Sequence, residues 1–167
     1  MPRLMLRVLD ASALLSGRQF PGELATVSGV LREVRRHGLT PPLEAILETQ
    51  VRVLSSTAAS AERVRAAGSK TGDAHRLSPT DRDLLALALD LGATLVTDDY
   101  SIQNLCRVLG IPYEPVLLPG IKDVWEWSYR CTGCARIWPE WHEECPTCGA
   151  PLKTSRLNRG PQSGPGR

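Results

Sequence analysis

The stretch Thr94–Asn104, TLVTDDYSIQN, decides the fold. Thr94-Leu95-Val96-Thr97 reads as a short buried strand, and Ser101 to Leu109 reads as a helix. Asp98 and Asp99 stand between them. Two adjacent like charges at the end of a buried strand are costly unless something neutralises them. A strand that runs through acids into a helix is one unit of an α/β sheet, and its neighbours in sequence repeat the pattern.

Working outward, Leu4 to Leu9 is a strongly apolar strand that ends at Asp10. Val27, Val30, Leu31 and Val34 recur at helical spacing, and Gly38 fits a C-terminal stop. Gln50 to Leu54 is a strand, and Ala58 to Ala67 is a helix closed by Gly68. Ser78-Pro79-Thr80-Asp81 is a helix start with Ser78 as N-cap and Asp81 at the third position. The following helix, to Leu91, is apolar on most faces and is expected to be deeply packed before Gly92 ends it. A last strand is expected near Pro112 to Leu117. This alternation predicts a parallel sheet covered by helices on both faces, over residues 1–117.

The texture changes at Leu118-Pro119-Gly120, which opens a short linker over 118–124. All four Trp residues and four of the five Cys residues fall in the next module, expected over 125–153. Cys131, Cys134, Cys145 and Cys148 form two C-x2-C pairs separated by ten residues. Each pair is followed by a small residue, Ala135 or Gly149, and can make a tight turn that aims both sulfurs at one ion. Two such turns give the closed four-thiolate site preferred by structural zinc. Iron in a rubredoxin-like site is the rival, disfavoured by the charged loop bearing Glu140, His142, Glu143 and Glu144. The metal is expected to supply much of the folding free energy of so small a module. His142 is read as a surface residue and lone Cys106 as a small buried hydrophobe. At least two of Trp125, Trp127 and Trp138 are expected in the ribbon core, with Trp141 the candidate for exposure and for stacking on unpaired bases.

The formal net charge of +2 is nearly balanced, so bulk electrostatics demand no nucleic-acid partner. The tail over 154–167 is rich in Gly, Pro and Ser, carries basic residues and no acid, and is expected to be disordered; it is either a solvated terminus or a phosphate-seeking arm. No apolar run is long enough to span a membrane, and no signal peptide is read at the start. The expectation is therefore a cytoplasmic protein with reduced or metal-bound cysteines.

In parallel α/β sheets, ligands gather outside the carboxyl ends of strands. Asp10 ends one strand, and Asp98 and Asp99 end another. Asp81 in a helix first turn and Glu33 on the flank of an apolar stripe can join them. Each acid has a bland reading as a cap or a solvated helix residue. Jointly they sit where such a sheet would bring them together. A carboxylate cluster must hold cations or be partly protonated, and oxygen ligands select hard ions such as Mg2+ or Mn2+. Two such ions, about 3.5–4 Å apart, support in-line displacement at a phosphodiester. With three histidines, no P-loop, no nucleophile elbow and no G-x-G-x-x-G, no other catalytic apparatus or organic-cofactor motif stands out.

The order Asp10 in LDASALL, Glu33 in TVSGVLREV, Asp81 in LSPTDRDLLALA and Asp99 in LVTDDYSIQN resembles the PIN-domain nucleases. The extended segments KTGDAHRLSPTD and TDDYSIQN, with the C-terminal zinc ribbon, resemble more specifically the Nob (Nin-one-binding) family, which matures the 3′ end of small-subunit ribosomal RNA in archaea and eukaryotes. The compact length is similar to that of the archaeal members. The resemblance implies catalytic and metal-binding roles for Asp10, Glu33, Asp81 and Asp99, with Asp98 auxiliary. It places Ser12 and Thr97 at small hydroxyl positions able to orient carboxylates, and leaves Gln103 and Asn104 between helix-start packing and RNA contact. It implies an endoribonuclease that uses Mn2+ or Mg2+, carries structural Zn2+, and acts on precursor small-subunit rRNA in the small-subunit precursor. The rivals are a non-catalytic ribosome-assembly RNA-binding factor and a VapC-like toxin ribonuclease.

Overall fold

In the computed structural model the described residues are 5–117 and 126–157. The expected linker over 118–124, Trp125 and the end of the tail lie outside them. The larger module is a five-stranded, all-parallel sheet of β1 (Leu6–Leu9), β2 (Glu23–Thr26), β3 (Val51–Val53), β4 (Thr94–Val96) and β5 (Tyr113–Glu114), in the order β3-β2-β1-β4-β5. The chain builds outward from β1 in one direction and then restarts at β4 on its other side. The point of reversal therefore lies between β1 and β4, where α/β folds open a crevice.

Six helices complete the module: α1 (Ala11–Leu15), α2 (Ser28–His37), α3 (Pro41–Thr49), α4 (Ala58–Thr71), α5 (Pro79–Leu91) and α6 (Tyr100–Leu109). As its sequence requires, α5 is the central packing element, with Leu84, Leu85, Ala86, Leu87 and Ala88 buried. Ser78 and Asp81 close the expected capping box at its start, and Gly92 ends it in the left-handed conformation at φ +57°. Cys106 is fully buried in the core, as read from sequence.

In the larger module β2, α3 and a short 3-10 turn over Asp73–His75 go beyond the sequence reading. β2 is only four residues long, and α3 contains no fully buried residue, so neither shows a strong periodic signal of its own. A boundary also moves: Gly68 does not end its helix but is buried inside α4, facing Ala74, and the left-handed stop falls at Gly72, φ +80°. A buried Gly inside a helix is a packing device, and periodicity alone does not separate it from a cap.

The smaller module is a three-stranded antiparallel sheet, β7 (Ile137–Trp138), β6 (Glu126–Cys131) and β8 (Leu152–Leu157), in the order β7-β6-β8. β8 carries ordered pairing four residues beyond the expected end of the ribbon at 153, because Glu126 to Cys131 pairs along its whole length. Its core is Tyr129, Cys131, Cys145 and Leu152, with Trp138 packed against it. Trp127 instead faces Arg76 of the larger module, and Trp125, the third of the Trp residues expected to supply at least two to the ribbon core, lies outside the described residues. Trp141 is 37% exposed, as expected, and packs against His75 and Tyr129. Half-buried His142 lies edge-on to Trp138, 5.2 Å between ring centres, and is no part of the thiol cluster.

Candidate active site and metal centre

Asp10 leaves β1 at the switch point and caps α1, its Oδ1 accepting from the Ala11 N–H at 2.6 Å. Its Oδ2 accepts from the Thr97 hydroxyl at 2.6 Å. The Thr97 oxygen accepts in turn from the Asp99 N–H at 3.0 Å. Asp99 caps α6, with Oδ1 accepting from Ser101 N–H (2.7 Å) and Ile102 N–H (3.2 Å). Asp81 Oδ2 accepts from the Ser78 N–H at 2.7 Å inside the capping box of α5. Three helix N-termini, those of α1, α5 and α6, thus carry acids close enough to feel one another's charge, each stabilised by the positive end of a helix dipole. The capping and clustering roles coexist, because a carboxylate has lone pairs enough for both.

The electrostatics record the convergence. Burial raises the Asp10 carboxyl to about 6; hydrogen bonds from Thr97 and Ala11 oppose it, and the charges of Asp81 and Asp99 add to it. Asp81 is likewise raised, first by burial, against its bonds to Ser78 and with the charges of Asp99 and Glu33. Glu33 reaches the group because α2 packs tightly on α5: a Cβ on Gly29 would fall 2.2 Å from Thr80 Oγ1. Among the described residues, only the four thiols bring three or more potential ligand atoms within 4.8 Å of one another. The acids are spaced more widely. Their all-oxygen donor set and mutual repulsion suit hard divalent cations.

The neighbours of this group sort differently from expectation. Thr97 donates to Asp10, as a positioning hydroxyl would. Ser12 instead accepts the Asp98 N–H at 3.2 Å. Asp98 Oδ1 accepts from Val116 N–H at 2.7 Å and Leu117 N–H at 3.2 Å, so this carboxylate ties down the chain after β5. Gln103 and Asn104 are fully buried. Gln103 Nε2 donates to the Thr97 carbonyl at 2.8 Å and Asn104 Nδ2 to Asp73 at 2.7 Å, which are packing roles. The network through Asp73, invisible as a functional signal in the sequence, underlies the start of α6.

In the ribbon, Cys131, Cys134, Cys145 and Cys148 converge. Cys131 and Cys148 sulfurs lie 3.3 Å apart, and Cys134 and Cys145 sulfurs 3.8 Å. Four sulfurs at about 2.3 Å from a tetrahedral ion would lie about 3.8 Å from one another, so the set fits one ion. Gly133 and Cys134 N–H groups point at the Cys131 sulfur, at 3.3 and 3.4 Å. Ala135 (φ +60°) and Gly149 (φ +76°) make the left-handed turns after each pair. The Cys148 thiol lies below its ordinary value through the Ala150 N–H and the Cys131 sulfur. Burial resists the same shift at Cys145 but is outweighed by the Cys148 and Thr147 N–H groups and the neighbouring sulfurs, which bring it to about 6. The Arg136 N–H lowers the Cys134 thiol but is outweighed by burial and the neighbouring sulfurs, which bring it to about 11, so Cys145 and Cys148 are the two thiols poised to ionise for a metal.

The parallel sheet in the order β3-β2-β1-β4-β5 is that of a PIN-type nuclease, since the PIN domain of ribonuclease matches residues 7–91. Endoribonuclease Nob1 of Methanothermobacter thermautotrophicus is 39% identical, over 91% of this chain and 94% of its own. Endoribonuclease Nob1 of Pyrococcus abyssi is 36% identical, over 87% and 91%. Ribonuclease VapC1 of Thermoplasma acidophilum is 37% identical, over 89% and 77%. The chain belongs to the Nob1 family of PIN-domain endoribonucleases. No helix among the described residues is long and apolar enough to cross a membrane.

Proposed function

We propose that this protein is a divalent-metal-dependent endoribonuclease that processes the 3′ end of precursor small-subunit rRNA, in the cytoplasm, on the small-subunit precursor. The observation that carries the reading is the approach of Asp10, Asp81, Asp99 and Glu33 at the β1–β4 switch point, with Asp10 raised to about 6 by burial and by its acidic neighbours. These four acids would hold Mg2+ or Mn2+, and Cys131, Cys134, Cys145 and Cys148 a structural Zn2+. Bound divalent metal would supply an activated water and charge stabilisation for the leaving oxygen. Thr97 keeps the Asp10 carboxylate oriented, and the caps of α5 and α6 fix Asp81 and Asp99. Hydrolysis would leave a 3′-hydroxyl and a 5′-phosphate. Two separate sheets support a nuclease module over about 1–117 and a ribbon over about 125–153, with 118–124 as the connection.

A second reading, a VapC-like toxin ribonuclease, draws on the similarity to VapC1. That similarity runs over 89% of this chain and so reaches into the ribbon; similarity to the Nob1 endoribonucleases over most of both chains favours the first reading. The test is cleavage of a synthetic RNA spanning the mature 3′ end of small-subunit rRNA, by wild type and Asp10→Asn, with Mn2+, Mg2+ or EDTA. A defined cut made only by wild type with metal supports the proposal. Retained RNA binding with no cut, on this RNA and on the intact pre-ribosomal particle, would make the protein an assembly factor. Copurification with an antitoxin would favour the VapC-like reading.

A further inference from the structure

Three direct contacts lead from the ribbon to the acid cluster. The Arg76 guanidinium lies over the Trp127 ring of β6, 3.8 Å from its centre. Arg76 Nε donates to Ser101 Oγ at 3.0 Å. The Ser101 N–H donates to Asp99 Oδ1 at 2.7 Å. Among the described residues Arg76 makes no direct salt bridge, so a ring face and a hydroxyl, with the charge of nearby Asp73, set its orientation.

The ribbon is seated by a second anchor beside this chain. The Tyr129 hydroxyl donates to the Gly72 carbonyl. Gly72 holds φ +80°, and a Cβ there would fall 2.6 Å from the Trp127 carbonyl oxygen, so only glycine admits the strand this closely. Fully buried Asp73 then accepts from Thr71 at 2.6 Å and from Asn104 of α6 at 2.7 Å. Tyr129 also packs in the ribbon core with Cys131 and Cys145, so the thiol cluster and the seam share one side chain.

We propose that Arg76 is a positioning residue that couples the folded ribbon to Asp99, so that the acid cluster is fully organised only when the thiolate site is loaded and β6 is docked. This rests on the carboxylate reading above. Without β6 the guanidinium loses its stacking surface, Ser101 loses a fixed donor, and the first turn of α6 that orients Asp99 loosens. The ribbon is then a structural check on the nuclease site.

The test uses the full-length, zinc-loaded protein with Arg76→Ala, Trp127→Ala, Trp127→Phe and Asp10→Asn. Two quantities are read: Mn2+ affinity, from the electron paramagnetic resonance of free Mn2+, and amide hydrogen exchange at Ser101 and Ile102, the two donors to Asp99. Arg76→Ala and Trp127→Ala should each weaken Mn2+ binding about tenfold and speed exchange at both amides. Trp127→Phe keeps a ring face and should stay near wild type, which a general loss of stability would not produce. The double variant Arg76→Ala/Trp127→Ala should be no weaker than either single change. Unchanged Mn2+ affinity and exchange in Arg76→Ala, with Asp10→Asn abolishing binding, would overturn the coupling alone. If wild type binds no Mn2+, the carboxylate reading fails, and exchange at Ser101 and Ile102 decides the coupling by itself: faster supports it and unchanged overturns it.

Discussion

Thr97 and Asp10, 87 residues apart in sequence, meet across the β1–β4 junction, the hydroxyl donating to Asp10 Oδ2 at 2.6 Å. The same oxygen accepts from the Asp99 N–H, so one buried side chain references both strand-end acids. Thr97→Val keeps the shape and removes the hydroxyl. It leaves the buried Asp10 Oδ2 and the part-buried Asp99 N–H without this partner and should cost about 1–3 kcal/mol of stability. Cleavage should fall about 10–100-fold, and Thr97→Ser should restore most of it. Urea unfolding and single-turnover cleavage check both halves.

Asp10 carries a pH signature. Its carboxyl is raised to about 6 in the folded protein from 3.8, so between those values the folded state binds more protons than the unfolded one. For the metal-free protein, stability from this group is therefore present below about pH 4 and is lost as pH rises through about 6. Metal-free Asp10→Asn should be more stable than metal-free wild type at pH 7.5, by up to about 3 kcal/mol, with the gap closing toward pH 4. Wild type should recover stability on adding Mn2+, and Asp10→Asn should not. Thermal melts at several pH values measure this. Protons also compete with the cation, so half-saturating Mn2+ should rise as pH falls below about 6.

Gly29 sets the approach of α2 to α5. A Cβ there meets Thr80 Oγ1 at 2.2 Å and Thr80 Cγ2 at 2.8 Å. Gly29→Ala should push the helices apart, cost about 1–3 kcal/mol and draw Glu33 away from Asp81, weakening Mn2+ binding. Adding Thr80→Ala removes the two nearest atoms and should recover part of both losses in a double-mutant cycle.

Asp98 and Asp99 should separate cleanly. Asp98→Asn keeps an acceptor for the Val116 and Leu117 N–H groups and should leave the Mn2+ response of cleavage within about threefold. Asp99→Asn also keeps a cap for α6 but loses a charge facing Asp10 and Asp81, and cleavage should fall at least about 100-fold. Equal losses in the two variants would contradict the division of roles.

Loss of the ribbon metal should be local in secondary structure. Among the described residues all six α-helices lie outside residues 126–157. Cys145→Ser should lower bound zinc from about one per chain, shift Trp fluorescence through Trp127 and Trp138, and leave helical circular dichroism nearly unchanged. A helical collapse on zinc loss would show instead that the larger module needs the ribbon to fold.

The chain alone determined what short-range chemistry determines. The C-x2-C pairs, the Ser78–Asp81 box and the strand-to-helix passage at Asp98-Asp99 are readable because spacing within a few residues dictates turn, cap and ligand geometry. The strand–helix alternation likewise made a parallel sheet the natural reading, and a parallel sheet puts acids at one end. β2 and α3 escaped because a four-residue strand and a helix without a fully buried residue carry little periodic signal of their own. Only the tertiary structure decided which acids feel one another's charge while capping helices, that Asp98 turns to Val116 and Leu117, and that Trp127 faces Arg76 across a seam that glycine keeps close. Those outcomes depend on distances between residues far apart in sequence, which packing sets and no local pattern encodes.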